Sequence, residues 1–156
     1  MASDDSVTPG WQVTGLDFPT FRMCLLAKAL DRTTIRQLAE RFYLSFAQWR
    51  LIARLGDAPA GATVGQIAEQ AWVDRAEVSR AASVLQERGV LEKQNNPQDG
   101  RAPLLTLTEA GRALYRRVGS ERAAFHRSLI ADLDPERLAL LEEVIESVRA
   151  KLHQSG

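Results

Sequence analysis

One run of the chain, Thr63 to Thr108, limits most strongly what it can fold into. Thr63-Val64-Gly65-Gln66 has the form of a capping box, in which a hydroxyl and a Gln side chain satisfy the free N–H groups of a helix start. Val64, Ile67, Ala68 and Ala71 then recur at helical spacing. Asp74 can cap a second helix, and Glu77 repeats the box geometry three residues on. In that helix Val78, Ala81, Ala82 and Leu85 fall on one face, which is expected to pack inward. Ala76, Ser79, Arg80 and Ser83 occupy the opposite face, with Arg75 on its flank. Gly89, directly after Arg88, reads as a left-handed helix stop. Val90 to Gln94 suits a strand, Asn95-Asn96-Pro97-Gln98-Asp99-Gly100 is a turn cluster, Arg101 to Leu107 can return as a second strand, and Thr108 can cap another helix.

Two helices, a tight turn and a hairpin make a winged helix-turn-helix pattern, and the second helix has the size of a major-groove reader. The expected class is mainly α with a small β wing. Composition narrows the functions open to it. The chain of 156 residues has room for one real core, and 45% hydrophobic with 26% charged residues is ordinary for a globular protein. With 20 basic and 20 acidic residues its formal net charge is 0, so any nucleic-acid site must be a local arrangement of Arg. One cysteine excludes an internal disulfide and a multi-cysteine metal site. No apolar run reaches the length of about 18 residues that a membrane span needs. The acidic, polar start Met1-Ala2-Ser3-Asp4-Asp5-Ser6 is not a secretory leader, so the expected location is the cytoplasm.

In chain order, residues 1–16 read as a flexible arm broken by Pro9-Gly10, with Trp11 expected to dock on a neighbouring helix. Pro19 to Phe42 is helical in pattern, with a break expected near Asp31 to Thr34. Ser45 can cap the helix that buries Phe46, Trp49, Ile52, Ala53 and Leu55. After the wing, Glu109 to Asp132 reads as a long helix carrying Leu114, Val118, Phe125 and Leu129. Asp134-Pro135-Glu136 starts another. There Leu138, Leu141, Ile145, Val148 and Leu152 step by three and four, as in a helix that packs on another helix. One copy has too few helices to cover both terminal stripes, which leads to a homodimer through the N- and C-terminal helices. The alternative is the last helix folding back on the first. The expected organisation is an arm (1–16), a dimerisation helix (17–42), a winged lobe (43–108) and further dimerisation helices (109–156).

In these pieces the chain resembles the MarR family of bacterial transcription regulators. The resemblance runs from about Phe42 to Arg112. It is carried by Leu44 to Gly56, Thr63-Val64-Gly65-Gln66-Ile67-Ala68, Val78-Ser79-Arg80, Leu85-Gln86-Glu87-Arg88-Gly89-Val90-Leu91, Asp99-Gly100-Arg101 and Leu107-Thr108-Glu109-Ala110-Gly111. Each piece alone is weak, and their order and spacing are specific. The resemblance implies an obligate dimer with two winged lobes on a pseudo-palindromic double-stranded operator. It also implies repression that a small ligand or an oxidant relieves.

The expected DNA-binding residues are Thr63, Arg75, Ala76, Ser79, Arg80, Ser83, Asp99 and Arg101. Arg can pair with guanine through two hydrogen bonds, and Ala76 can touch a thymine methyl. Ser79 and Ser83 can bond bases or phosphates. Arg80 matches the family's Ser/Thr-Arg pair, against the plain alternative of an ion pair with Glu77 or Glu87. The helix starts at Thr63 and Asp74 offer N–H groups to phosphates, although the Asp74 carboxylate opposes close approach. At the wing, the family pattern Asp-x-Arg corresponds to Asp99 and Arg101, with the Asp holding an Arg that enters the minor groove. Gly100 replaces a more usual Arg, and the plain alternative is that Asp99-Gly100 simply makes a hairpin turn. Pro103 removes a ladder donor, so the second strand is expected at an edge.

By its position in the family, an effector site would involve Phe21, Arg22, Cys24, Leu25, Phe46, Trp49, Arg50 and Trp72. Aromatic walls with one or two Arg suit an aromatic carboxylate or its thioester, while aromatic residues at helical spacing also serve as plain core. Cys24 lies one turn later than the peroxide-sensing cysteine of some relatives, and the supporting tyrosine positions hold Leu25, Ile35 and Phe46. A buried structural thiol is the expectation, with oxidant sensing the alternative. Catalysis finds no support. The only histidines are His126 and His153, and there is no Gly-x-Ser-x-Gly elbow, phosphate-binding loop or zinc motif. No cofactor is implied. A protein-binding winged helix without DNA contact remains the other rival.

Overall fold

In a computed structural model, residues 18–71 and 73–154 are described. The N-terminal arm, Trp11 and Trp72 lie outside them. The chain divides into two compact units, one ending at Arg112 and the other beginning at Ala113.

The first unit starts with α1 (Pro19–Phe42), a single uninterrupted helix. The expected break at Asp31–Thr34 does not occur. Thr33 Oγ1 donates to the Ala29 carbonyl and Thr34 Oγ1 to the Leu30 carbonyl, so both hydroxyls bond back one turn instead of competing with the helix. Burial in α1 is confined to its C-terminal half, at Thr34, Leu38 and Phe42. The helix ends on Tyr43, a non-glycine residue with φ 53°, and Arg88 Nη1 donates to the Tyr43 carbonyl at 2.9 Å.

Helix α2 (Phe46–Gly56) opens with the full capping box that Ser45 and Gln48 allow, and α3 (Val64–Ala71) opens with the same device from Thr63 and Gln66. Helix α4 (Arg75–Glu87) is capped by Asp74, whose Oδ1 accepts from the Ala76 and Glu77 N–H groups. Glu77 does not complete a box there, because among the described residues its carboxylate makes no bond back to Asp74. The end of α4 closes as a Schellman motif: Val90 N–H donates to the Leu85 carbonyl and Gly89 N–H to Gln86, with Gly89 at φ +67°.

The core forms where α2, α3 and α4 meet beneath the hairpin. Leu51, Ile52 and Leu55 from α2, Ile67 and Ala68 from α3, and Val78, Ala81, Ala82 and Leu85 from α4 are all buried. Each fully buried Leu or Ile stabilises the fold by about 1.5–3 kcal/mol. Strand β1 (Leu91–Gln94) pairs antiparallel with β2 (Leu104–Leu107) in the register Leu91↔Leu107. Ala62 bridges Leu105 on the other side of β2. The second strand is therefore flanked on both sides and β1 is the edge, contrary to the expectation from Pro103. Pro103 lies just before β2, where no ladder N–H is required. Gly61 serves this bridge at φ +85°, with a Cβ site only 2.8 Å from Thr106 Cγ2.

Helix α5 (Glu109–Leu129) begins at Thr108, whose Oγ1 accepts from Gly111 N–H and donates to the Gly89 carbonyl at 2.7 Å. Gly111 is packed so closely that a Cβ there would stand 1.9 Å from the Val90 carbonyl oxygen.

In the second unit, the Arg122 guanidinium lies 4.4 Å from the Phe125 ring, and burial lowers its pKa from the usual value. Asp134 caps α6 (Pro135–Gln154), accepting from Arg137 N–H with Pro135 at the first position. No residue of α6 is buried. No helix of the described residues is long and apolar enough to cross a membrane.

The Gly111 contact yields a sharp test. Gly111→Ala drives a methyl into a backbone oxygen that α4 and β1 hold in place, so it is expected to destabilise the fold by at least about 2 kcal/mol. Gly100→Ala, where a Cβ meets nothing within 4 Å, is expected to be nearly silent. Urea unfolding of the two variants checks both.

Candidate nucleic-acid interface

The sequence of α4 separates its two faces at the level of the 3.6-residue repeat. Val78, Ala81, Ala82 and Leu85 turn inward, while Arg75, Ala76, Ser79, Arg80 and Ser83 are all exposed. Neither Ser79 nor Arg80 is packed inside. The Ser83 hydroxyl donates to the Ser79 carbonyl at 3.1 Å, so it faces outward as an acceptor with its proton engaged. Arg80 forms no ion pair with Glu77 or Glu87. Among the described residues the guanidinium groups of Arg75, Arg80 and Arg101 all lack carboxylate partners. Three guanidinium groups on one lobe thus keep their donors available, on a chain whose formal charges cancel.

Thr63 and Asp74 both spend a side-chain oxygen on helix capping, Thr63 Oγ1 on Gln66 N–H and Asp74 Oδ1 on two N–H groups. Thr63 sits at the start of α3, half-buried, and Asp74 at the start of α4.

The wing differs from the simple picture. Asp99 does hold Arg101, but through the backbone: its Oδ1 accepts from the Arg101 N–H at 2.9 Å, and the Ala102 N–H donates to the Asp99 carbonyl at 3.1 Å. The Arg101 side chain is thereby aimed without being consumed. Gly100 is not in the left-handed region, so the Asp-Gly pair does not form the primed hairpin turn that its sequence suggests. Asn96 stiffens the same loop, donating from Nδ2 to the Ala102 carbonyl and accepting from Gln98 N–H.

Two features of this face were not visible in the sequence. The first turn of α2 lies beside α4, and an open groove of about 370 Å³ is lined by Ser45, Ala47, Gln48, Glu77, Arg80, Ala81 and Val84. Arg75 folds back from α4 towards α3, with its Nη2 only 2.7 Å from where a Cβ on Gly65 would stand. Helix start signals place each helix but do not say which side chains meet between them.

The residues expected to hold an effector are divided. Phe21 and Leu25 are half-buried on α1, and Arg22 is exposed there. Phe46, Trp49 and Arg50 are half-buried on α2, with the Arg50 guanidinium 5.6 Å from the Phe46 ring centre. Trp72 lies outside the described residues. Cys24 is exposed, not a buried thiol, because the half of α1 that carries it contains no buried residue.

Comparison with known proteins agrees with this geometry. A model of the MarR family matches residues 44–102. An uncharacterised protein of Mycobacterium tuberculosis is 36% identical over 104 residues, covering 66% of this chain and 68% of its own. Among solved structures, the PcaV transcriptional regulator from Streptomyces coelicolor, in complex with its natural ligand, superposes with a TM-score of 0.67 at 26% identity. That match covers 89% of this chain and 96% of that one. FabT of Streptococcus pneumoniae, in complex with DNA, shares the fold with a TM-score of 0.71 at 21% identity, over 88% and 96% of the two chains.

The wing geometry can be checked without any ligand. Asp99→Ala removes the acceptor for the Arg101 amide and is expected to speed its hydrogen exchange at least about tenfold, the effect of losing one hydrogen bond. Asp99→Asn keeps an oxygen at that position and is expected to leave the rate nearly unchanged. Amide exchange followed by NMR distinguishes the two.

Proposed function

The chain belongs to the MarR family of DNA-binding transcription regulators, and on that premise we propose that it is a dimeric, ligand-responsive repressor of a pseudo-palindromic operator. The observation that carries the proposal is the exposed row Ala76, Ser79, Arg80 and Ser83 on α4, together with Arg101 on the wing, whose guanidinium groups are unpaired among the described residues. In the proposed complex α4 enters the major groove. Arg80 pairs with a guanine edge, Ser79 and Ser83 add hydrogen bonds, and Ala76 meets a thymine methyl. Thr63 and Arg75 face the backbone at the helix starts, and Arg101, aimed by Asp99, lies in the minor groove of the flanking segment.

Two copies are needed for two half-sites. Support comes from apolar residues that one copy leaves in water: Phe18, Leu26 and Ile35 at or on α1, and Leu140, Leu141, Val144, Ile145 and Leu152 on α6. A helix with this much exposed apolar surface and none buried is expected to be covered by another. The proposed organisation keeps residues 17–42 and 109–156 for dimerisation and 43–108 for DNA.

The effector reading rests on Phe21, Leu25, Phe46, Trp49 and Arg50, half-buried on α1 and α2, with Arg22 and Cys24 exposed beside them. The aromatic and cationic mix suits a small aromatic carboxylate. The related PcaV regulator was solved with its natural ligand, which favours a ligand-controlled mechanism here.

A mobility-shift titration on DNA selected from a random pool tests the proposal. Arg80→Ala and Arg101→Ala are each expected to cost about 1–3 kcal/mol of operator binding per half-site while leaving stability within about 0.5 kcal/mol. Binding unchanged in both variants refutes the contact assignments. Ile145→Glu is expected to halve the mass measured by light scattering if α6 builds the dimer.

A further inference from the structure

Gly65 is the second residue of α3, and nothing in its own backbone calls for glycine. Its φ is not positive, and among the described residues no backbone atom stands in the way of a Cβ. Glycine in a helix is destabilising relative to alanine, because it gives up more chain freedom on folding. The room it leaves is filled by one group. Nη2, Cζ and Nε of Arg75 lie 2.7, 3.3 and 3.6 Å from the position a Cβ would take. The guanidinium therefore rests along the bare Cα of Gly65.

Arg75 is the first residue of α4, and its exposed side chain turns away from the row made by Ala76, Ser79 and Arg80. It makes no hydrogen bond or ion pair among the described residues, so its donors remain available. In helix-turn-helix docking the reading helix lies in the groove while the helix before it crosses the sugar–phosphate backbone. An arginine drawn from the former onto the latter is moved from bases to phosphates.

We infer that Gly65 is a positioning residue: its missing side chain seats the Arg75 guanidinium on the first turn of α3, where it grips the DNA backbone and does not read a base. This rests on the DNA-binding mode proposed above and assigns a role to a residue that touches no DNA itself. Phosphate contacts fix register and strength without sequence preference.

The inference makes opposite demands on stability and binding. The atoms a methyl would strike belong to the tip of a flexible side chain, so Gly65→Ala is expected to raise Tm by about 2–4 °C, the ordinary gain of alanine over glycine in a helix. The same change is expected to weaken binding about threefold or more, equally on a duplex selected from a random pool and on its scrambled counterpart. Arg75→Ala is expected to weaken both duplexes by a common factor of about three to ten and to lower the salt slope of binding by about one for each Arg75 engaged. In the Arg75→Ala background, Gly65→Ala is expected to cost no further affinity while still raising Tm.

Fluorescence anisotropy with the two duplexes at several salt concentrations, together with thermal unfolding, reads all of this. A fall in Tm for Gly65→Ala, or an equal loss of affinity in the absence of Arg75, overturns the inference. So does an Arg75→Ala variant that changes preference between the duplexes with an unchanged salt slope, which is the behaviour of a base reader. If the parent protein binds neither duplex, the DNA-binding mode itself fails. If the parent binds and only these variants misbehave, that mode stands and the positioning role falls.

Discussion

Everything on the exposed face of α4 depends on one helix being held firmly by half its circumference. Val78, Ala81, Ala82 and Leu85 anchor α4 to α2, α3 and the hairpin, and two of the four are alanines. Small residues at the seam let neighbouring helices come close, so a helix of thirteen residues is fixed without any polar group being buried on its inner face. The outer face is then free of structural duty. Its cations can stay unpaired, because no part of the fold relies on neutralising them.

The ends of the elements are fixed by backbone chemistry. Ser45, Thr63, Asp74, Thr108 and Asp134 each supply an oxygen to a helix start, and Gly89 closes α4. Each such cap is worth about 1 kcal/mol, and together they set the angles at which short helices leave their turns. The wing uses the same economy. A carboxylate that holds a main-chain N–H aims the arginine two residues on and leaves its charge intact. A chain of net charge 0 thus keeps three guanidinium groups, of Arg75, Arg80 and Arg101, outside ion pairs among the described residues.

Much of this was legible in the residues. Cap signals are local, and five helix starts lie where a hydroxyl or carboxylate precedes an apolar repeat. The inward and outward faces of α4 follow from spacing alone. The failures share a cause: they concern groups whose partner is distant in sequence or whose local preference is satisfied in an unexpected way. Thr33 and Thr34 look like helix breakers until their hydroxyls bond the carbonyls one turn back. Pro103 suggests an edge strand, but it falls one residue before the ladder, and the bridge from Ala62 makes β2 the middle. Asp99-Gly100 has the composition of a tight hairpin turn, yet the Asp serves as acceptor for Arg101 and the Gly keeps an ordinary conformation. Cys24 sits on a helix whose early turns bury nothing, a fact that periodicity does not contain. Gly65 reads as a neutral member of a capping box, and only its distance to Arg75 makes it distinctive.

The contact between Gly111 and Val90 has a mechanical meaning. The carbonyl of Val90 receives the Thr108 N–H while the bare Cα of Gly111 presses on the same oxygen. The residue that ends the Schellman turn of α4 and the residue that begins the next long helix are thus pinned at one joint with no slack. A displacement of the first turn of α5 therefore reaches the root of the wing and the tail of α4 together, and hairpin and α4 respond to it as one lever.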